Sequence, residues 1–261
     1  MKNGIINKRE IGIKKGAYMI QDLHSHTYYS FCGKDSPEKV IETAINGGIE
    51  LLGITDHSYG IVMSRQGSPD NAHRVNDFQR ALNAYVDHMT LLKEKYASQI
   101  TIKCGIELAT KNESHILPEG LDLSRFDFCL IESAYDPDSI CEDLFEFAGS
   151  CRCPVIGIAH TDLLSFLEIN KIDKFEYLSK MAQMGIFWEL NVNYDSIHKF
   201  HEHKYVYDFF ENENLQDVVR RSGMKLSIGF DGHKVEDYLP QRVYDACQRI
   251  TELKIPLIFE E

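Results

Sequence analysis

Two histidines one residue apart, His24-Ser-His26, close one apolar run of the chain, and Asp231-Gly-His233 repeats that spacing after another. On a strand, residues i and i+2 point to the same face, so each pair can present two donors to one ion. Between them lie Thr55-Asp56-His57 and Ala159-His160-Thr-Asp162, each closing an apolar run, and Gly105-Ile-Glu107 within another. Imidazole mixed with carboxylate suits zinc, manganese or iron better than calcium or magnesium alone. Glu107 is a carboxylate able to bridge two ions about 3.5–4 Å apart. His57 and His160 add donors from opposite walls, and Asp56 reads as a partner that orients a neighbouring imidazole. One His-x-His pair is a weak signal. His24, His26, His57, His160 and His233, among eleven histidines, all falling at the ends of apolar runs, make a metal centre the expected reading.

Such convergence needs a scaffold that brings many strand ends together. Short apolar runs occur at Tyr18–Leu23, Leu51–Thr55, Ile100–Leu108, Phe126–Ser133, Val155–Ala159, Ile186–Val192 and Lys225–Phe230. Amphipathic stretches alternate with them, near Ser36–Asn46, Asn71–Tyr96, Asp138–Ala148, Lys171–Met184, Tyr205–Ser222 and Tyr238–Leu253. Ser36 followed by Pro37 is a helix start, and Gly47-Gly48 and Gly223 mark helix exits. Strand–helix alternation without a linker implies a parallel sheet, and seven units favour closure into a distorted β/α barrel of the TIM type over residues 1–261. Residues 1–17 read as a peripheral extension, and Ile255–Phe259 as an eighth strand or an edge addition. In such barrels the chemistry lies at the C-terminal strand ends.

The chain has 261 residues, a net charge of −12 and 43% hydrophobic residues. That acidity argues against a nucleic-acid partner, which needs a basic face. Three divalent ions would bring the charge to about −6 and concentrate positive potential in one cleft, so an anionic substrate is still compatible. Seven scattered cysteines suit a reduced cytoplasmic protein, and Cys151-Arg-Cys153 reads as packing. No run reaches the roughly 20 apolar residues of a membrane span. Oligomeric state is not legible.

In their order along the chain, His24-Ser-His26, Thr55-Asp56-His57, Glu107, His160 and Asp231-Gly-His233 resemble the PHP (polymerase and histidinol phosphatase) family, over about Tyr18 to His233. The resemblance implies a seven-stranded distorted barrel with a trinuclear centre, and is nearest to the stand-alone histidinol-phosphatase-like phosphoesterases. Carried over by position, His24, His26, Glu107 and Asp231 would hold a first metal, Glu107 and His160 a second, and His57 and His233 a third. Two positions depart from the family pattern. The fourth strand usually offers a His where Tyr135 stands, and the first loop a His or Asp where Cys32, Lys34 or Asp35 stands. A thiolate can ligate zinc or iron directly. A phenol must first lose a proton held to about pH 10. Glu132 is another substitute, although strand alternation opposes Glu132 and Tyr135 sharing a face.

The resemblance implies hydrolysis of a small phosphate monoester. Hydroxide generated from water at a di- or trinuclear centre would attack phosphorus, with Asp231, His233 or Asp56 protonating the leaving oxygen. Arg65, Lys111 and Lys234 follow strands and are candidates to position phosphate, although Lys and Arg are ordinarily surface charges. The run His198-Lys-Phe-His201-Glu-His203 follows the sixth strand, on the active face, and reads chiefly as an exposed polar loop, with a lid or substrate-binding element as the alternative. An amidohydrolase shares the first motif and a late Asp, but Phe126–Tyr135 has no lysine to carboxylate. A degenerate, non-catalytic metal-binding relative is the other alternative.

Overall fold

The computed structural model of the chain describes residues 18–66, 75–111 and 122–260; the side chains of residues 63–66 and 75–77 lie outside that description. Seven parallel strands run in sequence order: β1 (Gln21–Asp22), β2 (Leu51–Ile54), β3 (Thr101–Ala109), β4 (Phe128–Glu132), β5 (Ile156–Ile158), β6 (Ile186–Asn191) and β7 (Leu226–Gly229). Leu23 N–H donates to Ile228 O at 2.8 Å, and Ser25 bridges Gly232, so β1 meets β7 and the ring closes. The helices are α1 (Pro37–Asn46), α2 (Ser58–Gln66), α3 (Val75–Tyr96), α4 (Leu144–Ser150), α5 (Leu163–Ile169), α6 (Lys174–Gln183), α7 (Lys204–Glu211), α8 (Glu213–Ser222) and α9 (Pro240–Glu252). The expected distorted TIM-like barrel is therefore the fold. No described helix is long and apolar enough to cross a membrane.

Strand alternation divides the apolar residues into two layers. Outward-facing Ile54, Ile106, Ile131 and Trp188 pack under the helices. Inward-facing Leu51, Phe128, Leu130 and Phe187, with Leu23, Ala159 and Ile258, fill the lower barrel. The two phenyl rings fit because the facing positions lack side chains. A Cβ on Gly105 would lie 2.5 Å from Phe128, and one on Gly157 2.3 Å from Phe187. One step further along the same inward rows, β3, β4 and β6 change from apolar residues to Glu107, Glu132 and Glu189. The packed floor thus becomes a polar mouth within single strands.

Local differences from the sequence reading have physical causes. The first strand pairs over only two residues because the Asp22 side chain takes over backbone bonding: Oδ1 accepts from Phe230 N–H at 2.9 Å and from His24 N–H at 3.3 Å. The stretch Tyr205–Ser222 is two helices. Asn212 leaves helical geometry (φ −120°, ψ 99°), and its side chain caps α8 by accepting from Asn214 and Leu215. The stretch from Asp138 becomes helical only at Leu144, where Asp143 supplies the cap. Ser36 caps α1 as expected, with Pro37 in its first turn. Short helices α2 and α5 were not anticipated. Residues 255–259 contribute a single bridge, Leu226 to Leu257, an edge addition that seats Ile258 in the barrel floor. The extension 1–17 lies outside the described residues.

Candidate metal centre

The end of β1 is held between two neighbours. Ser25 N–H donates to Thr55 Oγ1 at 3.1 Å, while His26 N–H donates to Gly232 O and Asp231 N–H to His24 O, at 2.8 and 2.7 Å. Both histidines consequently face the barrel axis. Asp231 takes left-handed backbone geometry, φ 56°, which an aspartate tolerates better than most residues. Asn193 Nδ2 donates to its carbonyl and to that of Phe230, fixing the turn. His57 bridges Glu107 across β2 and β3, so those side chains emerge together.

Four donor atoms meet at the axis. His24 Nε2 and His26 Nε2 are 3.2 Å apart. Glu107 Oε2 lies 3.3 and 3.4 Å from them, and Asp231 Oδ1 3.6 and 3.1 Å. Nitrogen and oxygen ligands about 2.0–2.1 Å from a tetrahedral zinc stand about 3.3–3.4 Å from each other. The spacing is that of a coordination shell. The side chains are almost wholly buried, yet Glu107 Oε2 has no hydrogen-bond partner. A buried carboxylate oxygen without a donor is costly unless a cation completes it. The residues present fit a metal.

A looser rim surrounds this nucleus. His160 Nε2 lies 3.2 Å from Glu107 Oε1, and His57 Nδ1 lies 3.1 Å from Glu107 Oε2. His57 Nδ1 is also buried without a hydrogen bond. Glu132 sits 3.9 Å from both imidazoles. Tyr135 is on the other side of the sheet: its ring stacks on Phe166 at 4.0 Å and its hydroxyl meets that of Tyr177 at 3.0 Å. Ser133, at φ 57°, turns the chain between them. Tyr135 as a metal donor is therefore corrected, and Glu132 occupies the inward position. Cys32 falls in a group with His26 and His233 whose donor atoms all lie within 4.8 Å of one another. Lys34 and Asp35 point elsewhere: Lys34 Nζ donates to Phe31 O, and Asp35 pairs with Lys39.

A second set of groups orients the imidazoles. His24 Nδ1 donates to Glu189 Oε1 at 2.8 Å, and Glu189 Oε2 accepts from His160 N–H at 2.7 Å. Asp195 accepts from His233 Nδ1 at 3.1 Å and from His198 Nδ1 at 2.9 Å. Ser30 Oγ stands 3.2 Å from His26 Nδ1 and donates to Asp56. Asp56 is fully buried and receives five bonds, from Thr27 N and Oγ1, Ser30 N and Oγ, and Tyr85. It braces the first loop and reaches His26 through Ser30, with no oxygen left for a leaving group. That corrects its expected role as acid.

The electrostatics follow from burial and crowding. Burial opposes charge on His24, yet Glu189, Glu107 and Asp231 together lift its pKa well above the ordinary value. His57 and His233 rise to about 10 and His160 to about 9, against burial, through facing carboxylates and, for the first two, Cys32. His26 falls to about 3, because burial is reinforced by His57 and His233. Glu107 and Asp231 are held well below the usual range by the histidines despite their burial. The Cys32 thiol drops to about 7: burial raises it, but His233 and His57 outweigh that.

The described cations expected to position phosphate already have partners. Lys111 pairs with Asp136 at 3.2 Å, and Lys234 Nζ donates to Ser196 Oγ at 2.8 Å. The Arg65 side chain lies outside the described residues. Instead the His-rich run, read as an exposed loop, supplies two imidazoles. His198 Nε2 is 3.8 Å from Asp231 Oδ2, and His203 stacks on His160 with centroids 5.9 Å apart. Only His201 of that run's three histidines is exposed; the other two are half-buried. Asp195 and His198 form an i, i+3 acid–imidazole pair, and Glu189 is a charge inside an apolar strand. Those were the available signals.

The PHP domain family model matches residues 22–252. Among solved structures, the chain is similar to the histidinol phosphate phosphatase of Lactococcus lactis, complexed with zinc, L-histidinol and phosphate. Identity is 17%, over 91% of this chain and 95% of that one, with a TM-score of 0.56. It is also similar to a structure from work on metal-dependent tyrosine phosphatases of Bacillus subtilis and Streptococcus pneumoniae, at 16% identity over 92% and 97% of the two chains, with a TM-score of 0.46. No curated protein matches the sequence.

Proposed function

The chain belongs to the PHP domain family, and from that premise we propose that it is a metal-dependent phosphoesterase that hydrolyses small phosphate monoesters, histidinol phosphate being the first substrate to test. The observation that carries the reading is the buried set of His24, His26, Glu107 and Asp231, whose donor atoms lie 3.1–3.6 Å apart around an unsatisfied Glu107 oxygen. These four would hold one ion, Glu107 with His160 and Glu132 a second, and His57 with His233 a third. Divalent zinc, manganese or iron bound there supplies Lewis acidity toward phosphoryl oxygens and lowers the pKa of water.

The chain's own residues do the rest. Glu189 keeps the His24 proton on Nδ1, and Asp195 does the same for His233, so Nε2 of each is free to coordinate. Ser30, backed by Asp56, gives His26 the same polarity. Asp195 also fixes His198, whose Nε2 faces the mouth beside Asp231. We assign His198 the proton donated to the leaving alcohol, in place of Asp56. His203, stacked on His160, closes the wall on that side.

Chelator-stripped protein, reloaded separately with manganese, zinc and iron, is assayed for phosphate release from para-nitrophenyl phosphate and histidinol phosphate. Metal-restored hydrolysis supports the reading. Stoichiometric metal uptake without hydrolysis of any phosphoester would overturn it in favour of a non-catalytic binder.

A further inference from the structure

The rim carries a soft donor that the nucleus lacks. Cys32 lies in the loop after β1, and that loop is pinned at several points. Thr27 and Ser30 bind Asp56; Lys34 N–H donates to His233 O at 2.9 Å; Asp35 Oδ2 accepts from Val235 N–H at 2.9 Å. Gly33 packs directly on the Thr27 backbone, where a Cβ would lie 2.0 Å from Thr27 O. A loop so constrained delivers the thiol to one place. There Sγ shares a cluster with His26 and His233, and the His26 ring stacks on those of both His57 and His233. Because Asp195 holds Nδ1 of His233, its Nε2 is the nitrogen left for an ion. Two further buried atoms of the centre, His57 Nδ1 and Glu107 Oε2, have no hydrogen-bond partner, an independent sign that a cation belongs among these side chains.

We propose that Cys32 Sγ, with His57 and His233, ligates the outermost ion, so that this position selects a thiophilic metal. The position bounded by Glu107, Glu132 and His160 stays open to a harder one. A sulfur–nitrogen set favours zinc, cobalt or ferrous iron, whereas carboxylate-rich sets accept manganese. The proposal rests on the metal-centre reading above. Ligation breaks the S–H bond, releases its proton to solvent and forms an S–metal bond, with no change of oxidation state.

The test is a cobalt(II) titration of the full-length, chelator-stripped protein followed by electronic absorption. Wild-type protein is expected to develop a sulfur-to-cobalt charge-transfer band in the near ultraviolet together with visible d–d bands. Cys32→Ser should lose the former, keep d–d absorption from the other positions and bind one cobalt fewer. Cys32→Asp should lose the charge-transfer band and keep the full cobalt count. Visible bands without charge transfer in the wild type, or a charge-transfer band that survives in Cys32→Ser, would overturn the proposal and leave the metal centre standing. No cobalt absorption at all would remove both.

Discussion

The nucleus and the rim of the cluster are made of the same residue types, yet they are built differently. In the nucleus, His24, His26, Glu107 and Asp231 are buried and come from strands β1, β3 and β7 or their immediate ends. Each imidazole there has its second nitrogen beside Glu189 or Ser30. In the rim, His57, His160 and Glu132 are roughly a quarter exposed, and Glu132 stands 3.9 Å from its neighbours. Preorganisation decides how tightly an ion is held, so the nucleus should bind first and release last, while the rim should set metal identity and occupancy.

The largest effect that would break this comparison is at Glu107, the one side chain common to both regions. Glu107→Gln should abolish most metal uptake and lower activity by about a thousandfold, the scale of losing electrostatic stabilisation of a transferring group. Metal analysis together with phosphatase assay checks it. Retention of full metal content would mean that the two regions are independent.

Next come the orienting carboxylates. Glu189→Gln should weaken metal affinity about 10–100-fold, since it removes the acceptor that fixes His24. Asp195→Asn should act on the rim alone, lowering occupancy by one ion while the nucleus stays filled. Competition with a chromophoric chelator reads both.

A pH effect separates the regions further. His57 and His233 near 10 and His160 near 9 are protonated in the metal-free fold at neutral pH, whereas His26 near 3 is already neutral. Rim ions must displace protons, so their affinity should rise with pH, and calorimetry in buffers of different ionisation enthalpy should show proton release. For the metal-free protein the sign is opposite. Histidines with raised folded pKa values contribute stability that is complete below about pH 6.5 and lost as pH rises through about 9 to 10. Metal-free melting temperature should fall across that window.

The smallest effect is expected at Tyr135. Tyr135→Phe removes only its bond to the Tyr177 hydroxyl, costing about 1 kcal/mol, with metal content unchanged. A lost metal equivalent would return Tyr135 to the rim.

The same two regions differ in how far the sequence revealed them. Strand alternation and i, i+2 spacing brought His24 and His26 to one axis, because strand geometry is local, whereas Asp231 reaches it through a left-handed turn after β7. The seven-strand order was legible for the same reason. Glu189 was visible as a charge inside an apolar strand, but its partner His24 is 165 residues away, and no local pattern announces that contact. The rim depended on turns. The left-handed Ser133 sends Tyr135 outward, and the folding of residues 194–203 brings His198 and His203 inward. Neither is fixed by hydrophobic periodicity. The bracing role of Asp56 had no local signal, since its donors Thr27, Ser30 and Tyr85 come from two other segments.

The most direct test is the anomalous-scattering crystal structure of metal-loaded protein with phosphate bound. An ion within coordination distance of His24 Nε2, His26 Nε2, Glu107 Oε2 and Asp231 Oδ1, with phosphate over it and facing His198, is the predicted result. Anomalous density away from those four atoms, or phosphate bound at another part of the barrel, would contradict the account.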